Sequence, residues 1–219
     1  MARTTLPSLA LGAAAAALAL APSTADAKPA RSGIQVEGLI GGSNCIPGRA
    51  DCTPDSDTLN GTTRGAVGGG VLLGWRALRW MTLGVAYRGG MFRPDYELQF
   101  DNAYARGSQH SVFAVARPTI PIWRFDLGLN VAPGYSRQIF RYEGGDQDFT
   151  QGFAFMTGPV VDVYLTQRFF LGFEADFIFN AHRDVCNVRG SSTECVRYEE
   201  RYPNPVHQAI YGLHIGFNS

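Results

Sequence analysis

The stretch FFLGFEADFIFN, residues 169–180, decides the fold. Phe169, Leu171, Phe173, Ala175, Phe177 and Phe179 take one side of a two-residue period; Phe170, Gly172, Glu174, Asp176, Ile178 and Asn180 take the other. Successive side chains of a β-strand point to opposite faces, so this alternation predicts a strand with one bulky apolar face. The period recurs in residues 123–134, where Trp123, Phe125, Leu127, Leu129 and Val131 oppose Asp126, Gly128, Asn130 and Ala132. In residues 81–88, Met81, Leu83, Val85 and Tyr87 oppose Thr82, Gly84, Ala86 and Arg88. In residues 64–75, Val67, Val71, Leu73 and Trp75 oppose Arg64, Ala66, Gly68, Gly70 and Gly74. The last strand sets Tyr211, Leu213, Ile215 and Phe217 against Gly212, His214 and Gly216.

Three weaker candidates complete the set. Residues 33–42 set Ile34, Val36 and Ile40 against Gln35 and Glu37, residues 109–117 are apolar on both faces, and 152–165 are interrupted by Thr157 and Pro159. Together they make eight strands, and no helical period follows the first 27 residues. The predicted connections alternate in length. Residues 76–79, 118–121 and 166–168 are short; 43–63, 92–108, 136–150 and 181–206 are long and polar. Short turns at one end and long loops at the other predict an all-β, eight-stranded antiparallel up-and-down transmembrane β-barrel. A Greek-key sandwich does not sort its loops this way.

Composition agrees and excludes other classes. The 219 residues carry 19 basic and 19 acidic side chains, so no net charge draws the chain to nucleic acid or to an anionic surface. Only 17% of residues are charged, and Lys28 is the sole lysine. Arg3, an Ala/Leu-rich run over 9–21 and the small-x-small site Ala25-Asp26-Ala27 predict a secretory signal peptide over residues 1–27, with the barrel in 28–219. Export favours disulfides. Four cysteines allow three pairings, of which the sequence-local Cys45–Cys52 and Cys186–Cys195 are favoured. Their spacings do not suit a zinc knuckle.

The apolar face is bulky and uncharged along the middle of the strands, as hydrocarbon contact requires, since an Arg or Lys at the midplane costs ~2–4 kcal/mol. The opposite face carries Glu37, Arg64, Arg88, Asp126, Asp162, Glu174 and Asp176 amid small residues, which suits a narrow interior where opposite charges pair. Trp75, Trp80 and Trp123 adjoin the short turns, and with Tyr164 and Phe169 they predict an aromatic belt at one membrane boundary.

On these features residues 33–219 resemble the small bacterial outer-membrane barrels of the OmpA/OmpX-like, eight-stranded type. The final strand, with Gly212, Ile215 and Phe217, resembles the C-terminal assembly signal of that family, although it ends in Asn218-Ser219 and not on the aromatic. The resemblance implies an integral outer-membrane location. Its implied partners are outer-membrane lipid, lipopolysaccharide and the assembly machinery, with no nucleic acid, and it implies a monomer. No peptidoglycan-binding module is expected.

Candidate chemistry is sparse. Some barrels of this type modify lipid A with histidine and serine, but the adjacent His110 and Ser111 point to opposite faces of a strand, and His182 has no serine two residues away. The acidic groups Asp51, Asp55, Asp57 and Glu143, Asp146, Asp148 offer oxygens of the kind calcium takes, without matching a calcium loop. No catalytic, cofactor or metal residue is therefore assigned. The expected role is non-enzymatic, in envelope integrity or surface-loop interaction. The alternatives are an outer-leaflet lipid-modifying enzyme and a narrow channel for small solutes.

Overall fold

The computed structural model describes residues 32–46, 61–64, 66–96, 104–142, 144–198 and 206–219. The signal-peptide reading of residues 1–27 lies outside these, as do Asp51, Cys52, Asp55, Asp57 and Glu143. Ten strands follow in order: β1 (Gly33–Cys45), β2 (Gly61–Arg64), β3 (Ala66–Leu78), β4 (Met81–Tyr96), β5 (Tyr104–Ile122), β6 (Phe125–Tyr142), β7 (Gln147–Tyr164), β8 (Phe169–Arg189), β9 (Ser192–Arg197) and β10 (Gln208–Asn218). Eight of them, all but β2 and β9, form an antiparallel ring in sequence order. It closes because β10 pairs with β1 on one side and β8 on the other. Closure removes the free edges that amphipathic strands would otherwise expose.

The two extra strands extend the wall beyond the ring, away from the short turns. β2 pairs with the far end of β4, Arg64 lying opposite Arg93. β9 pairs with β8 above the point where β10 begins, so the far end of β8 stays flanked by β7 and β9. The wall is tall on the β5–β8 side, where strands have 18 to 21 residues, and low at β10, which has 11.

Several connections differ from the sequence reading. Arg76 belongs to β3 and not to a turn, and the turn is Arg79-Trp80. Residues 118–121 are strand, and the β5–β6 turn is Trp123-Arg124. Pro118 pairs with Met81, the first residue of β4, so beyond it β5 overhangs its neighbour and a missing ladder N–H costs little there. The expected long loop 136–150 is mostly strand, leaving only residues 143–146 between β6 and β7. Here polar residues alternate in the taller wall, so polarity alone does not mark a loop.

Candidate functional site

The alternation sorts each strand into an outer and an inner row. Along β8, the outward Phe169, Phe173, Phe177 and Phe179 are exposed while the inward Phe170, Glu174, Asp176, Ile178 and Asn180 are buried. The outer row of the ring is continuous from strand to strand: Val36 and Ile40, Val71 and Leu73, Leu83 and Val85, Val112, Leu127 and Leu129, Val161, Leu213 and Ile215. Ile40 is 71% exposed. Each such side chain forgoes roughly 1.5–3 kcal/mol of burial in water, so this surface is matched to hydrocarbon.

Around the short turns, Trp75, Trp80, Trp123 and Phe169 stand on this outer surface. Tyr164 does not. It is buried inside the barrel, where its hydroxyl accepts a hydrogen bond from Arg76 Nη1 at 2.6 Å and its ring packs on Phe170. Tyr164 shares its parity with Asp162, and that parity outweighs closeness to a turn. At the C-terminal strand Ile215 is exposed, Phe217 packs against Phe169 with ring centroids 5.0 Å apart, and Gly212 lies against the β1 backbone at Ile40 and Gly41.

The interior is filled in layers. Nearest the short turns lies a charged layer holding Glu37, Arg88, Asp126, Asp162, Glu174 and Asp176, all buried. Arg76, Arg117 and His214 join them, although Arg76 had been read as turn and residues 109–117 as apolar on both faces. Extending the two-residue period inward along β3 and β5 would have found both arginines. Arg64 ends β2, outside the ring, and its side chain lies outside the described residues.

Within this layer Arg88 donates from Nε to Asp176 at 2.7 Å and from Nη2 to Glu174. Arg117 donates to Glu37 Oε1 at 2.6 Å and to Asn130 Oδ1 at 2.8 Å. Asn130 Nδ2 in turn bridges Glu174 Oε1 and Asp176 Oδ1, each at 2.8 Å. Arg76 meets Asp126 at 2.6 Å. His214 Nε2 meets Asp162 Oδ1 at 2.6 Å, and the ring fits because residue 172 is glycine, where a Cβ would fall 2.4 Å from His214 Nε2.

Beyond it Leu72, Phe113, Met156, Ile178 and Ile210 form an apolar layer. An amide and hydroxyl layer follows: Asn180 Nδ2 donates to Gln109 Oε1 at 3.1 Å and to the Val206 carbonyl at 2.5 Å, and Gln138 Nε2 donates to Gln109 Oε1 at 2.7 Å. Phe92, Phe140 and Val206, with Cys45 packed against them, complete the filling. Buried side chains thus occupy the lumen in each of these layers, as a narrow barrel allows.

The register of β6, β7 and β8 also brings together a serine and a histidine that no local motif announces. Ser136 Oγ lies 2.6 Å from His182 Nε2, and Thr150 Oγ1 lies 2.8 Å from His182 Nδ1. Ser136 donates its one proton to Asn180 Oδ1 at 2.5 Å, so His182 Nε2–H donates to Ser136 and Thr150 donates to Nδ1. Both side chains are buried and, among the described residues, the imidazole is bonded by two hydroxyls and by no carboxylate, so the trio forms a chain of hydrogen bonds. His110 faces outward and bonds the Tyr87 hydroxyl at 2.6 Å, while Ser111 faces inward. Asp146 and Asp148 pair with Arg189 and Asp148 also accepts from the Tyr142 hydroxyl, which turns these oxygens toward protein donors. Cys186 and Cys195 form a disulfide across the β8–β9 hairpin. Cys52, the expected partner of Cys45, lies outside the described residues.

No protein-family model matches the chain, and no curated protein matches it in sequence. Solved structures do resemble it. Neisserial surface protein A (NspA) aligns with a TM-score of 0.54 at 10% identity, covering 86% of this chain and 97% of that one. Ail, the attachment invasion locus protein of Yersinia pestis, aligns with a TM-score of 0.45 at 11% identity, covering 87% of this chain and 99% of that one. At such identity the likeness to NspA is one of fold, and ring, pairing and face polarity agree with it: the chain folds as an eight-stranded, antiparallel, up-and-down transmembrane β-barrel like those of the small outer-membrane proteins.

Proposed function

We propose that the protein is an integral, monomeric, non-enzymatic barrel of the bacterial outer membrane that serves envelope integrity or surface interaction through the end bearing the long connections. The observation that carries this reading is the outward apolar band around a lumen filled by its own side chains. The band needs lipid as its solvent. A lumen occupied by its own side chains favours packing over passage of solutes, which leaves the displayed end as the working surface. There the disulfide-bonded β8–β9 hairpin projects beyond the ring, with every residue of β9 exposed. Outer-membrane lipid and lipopolysaccharide are the partners of the band. The assembly machinery is the partner of the final strand, through Gly212, Ile215 and Phe217.

The test is membrane fractionation combined with protease accessibility on intact cells and heat-modifiable mobility of the unboiled protein. The expected result is outer-membrane material with a shifted unboiled band, cleaved from outside only in the segments beyond the ring. Recovery as soluble periplasmic protein overturns the reading. So does a change in lipid A mass spectra that depends on the protein, which would make it a lipid-modifying enzyme.

A further inference from the structure

We propose that the charged layer of the lumen binds a divalent transition-metal cation, of which zinc is the probe, through Glu37 Oε2, Glu174 Oε2 and His214 Nδ1. The three residues come from β1, β8 and β10, the strands that close the ring; one ligand atom of each lies within 4.8 Å of the others, and His214 Nδ1 stands 3.7 Å from Glu174 Oε2. All three residues are at least 97% buried, as their exposures of 3%, 0% and 1% show, and none of the three atoms has a hydrogen-bond partner. A buried polar atom without a partner costs about 1–3 kcal/mol, more when charged, so three converging on one point call for a ligand.

The surrounding bonds engage the other polar atom of each side chain. Glu37 Oε1 is held by Arg117 and Gln35, and Glu174 Oε1 by Arg88 and Asn130, so each carboxylate keeps its second oxygen without a hydrogen-bond donor. Arg117 Nη2 stands 3.6 Å from Glu174 Oε2, an ion pair beyond hydrogen-bond reach. His214 Nε2 pairs with Asp162 Oδ1 at 2.6 Å, so the neutral ring that donates there carries its lone pair on Nδ1. A histidine whose other nitrogen donates to a carboxylate is the usual support of a metal ligand. Imidazole and carboxylates together suit zinc and its first-row neighbours, and three protein ligands leave a fourth position for water.

Charge points the same way. Among the described residues of this layer, Glu37, Asp126, Asp162, Glu174 and Asp176 face only Arg76, Arg88 and Arg117. With His214 neutral, the carboxylates exceed the guanidiniums by the charge of one divalent ion. An uncompensated buried charge is costly, and a single cation at the proposed point neutralises the excess.

The experiment refolds the untagged chain of residues 28–219 into detergent, with zinc or with chelator, then desalts it and measures bound metal. About one zinc per barrel is expected, with cobalt giving a visible d–d spectrum in its place. His214→Gln and Glu37→Gln each should drop zinc below about one tenth per barrel. Asp162→Asn, which keeps all three ligands, should weaken zinc by about 10–100-fold. His110→Gln, on the outer wall, should leave binding unchanged. Heat-modifiable mobility of every variant verifies folding, so lost metal and a lost barrel are told apart. Wild-type protein that folds but holds no stoichiometric zinc overturns the proposal, as does zinc that survives the double variant of Glu37 and His214. In those cases the three atoms form a hydrated or protonated ion cluster.

Discussion

Below Ile178 the lumen holds guanidiniums and carboxylates; above it, amides, hydroxyls and one histidine. Both layers are buried and both are drawn from the same alternating strands. They differ in how well they satisfy themselves. In the charged layer Glu37 Oε2, Arg76 Nε, Arg117 Nη2, Asp126 Oδ1, Glu174 Oε2 and His214 Nδ1 all lack a hydrogen-bond partner; in the amide layer, among the described residues, only Gln208 Oε1 does. An amide both donates and accepts, so Gln109, Gln138 and Asn180 can close a chain among themselves. A carboxylate only accepts and a guanidinium only donates, so each depends on the right number of opposites. A charged plug holds the wall by stronger bonds and is harder to balance.

The comparison breaks most visibly at Arg88. Arg88→Ala leaves Glu174 and Asp176 without their nearest counter-charge and is expected to destabilise the barrel by about 3–5 kcal/mol, read from urea unfolding followed by tryptophan fluorescence. Asn180→Ala, in the amide layer, should cost about 1–3 kcal/mol in the same assay, because Gln109 and Ser136 lose a partner but no charge is stranded. Equal losses at the two sites would mean that charge confers no special dependence.

Smaller effects are expected at the two ends of the wall. Trp123 turns the β5–β6 hairpin at φ 54°, a left-handed conformation that suits glycine, whereas Trp80 has no such strain. Trp123→Gly should therefore change stability by less than about 1 kcal/mol, backbone relief offsetting the lost interfacial ring, and Trp80→Ala should cost more. At the other end, replacing Cys186 and Cys195 by serine should leave the urea midpoint of the ring unchanged while speeding proteolysis within residues 186–197. A shifted midpoint would mean that the hairpin supports the barrel.

The sequence carried the face of each strand more completely than the partners across the lumen. Residues 169–180 announced their inner and outer rows because glutamate and aspartate alternate with phenylalanine. Where nearness to a turn competed with parity, at Arg76 and Tyr164, parity prevailed: the strands run on until their last inward side chain finds a bond. The pairing of Arg88 with residues 86 and 88 positions away was not legible, since it depends on how the ring closes and tilts. Nor was the meeting of Ser136 with His182, which the register of β6, β7 and β8 sets, or that of Glu37, Glu174 and His214.

Pairing of β10 with β1 also governs how the chain reaches this state. Ile34 N donates to Ser219 Oγ across 185 residues, so the contact that seals the ring joins the ends of the folded sequence. Non-local contacts of this kind slow folding, because the entropy of closing the intervening chain is lost before the contact forms. Until β10 arrives, β1 and β8 expose open ladders beside bare phenylalanine and isoleucine, a template for association with other chains. The polypeptide must therefore be held apart from its copies until the ring closes, and a lesion in its final strand should be felt as aggregation before it is felt as lost function.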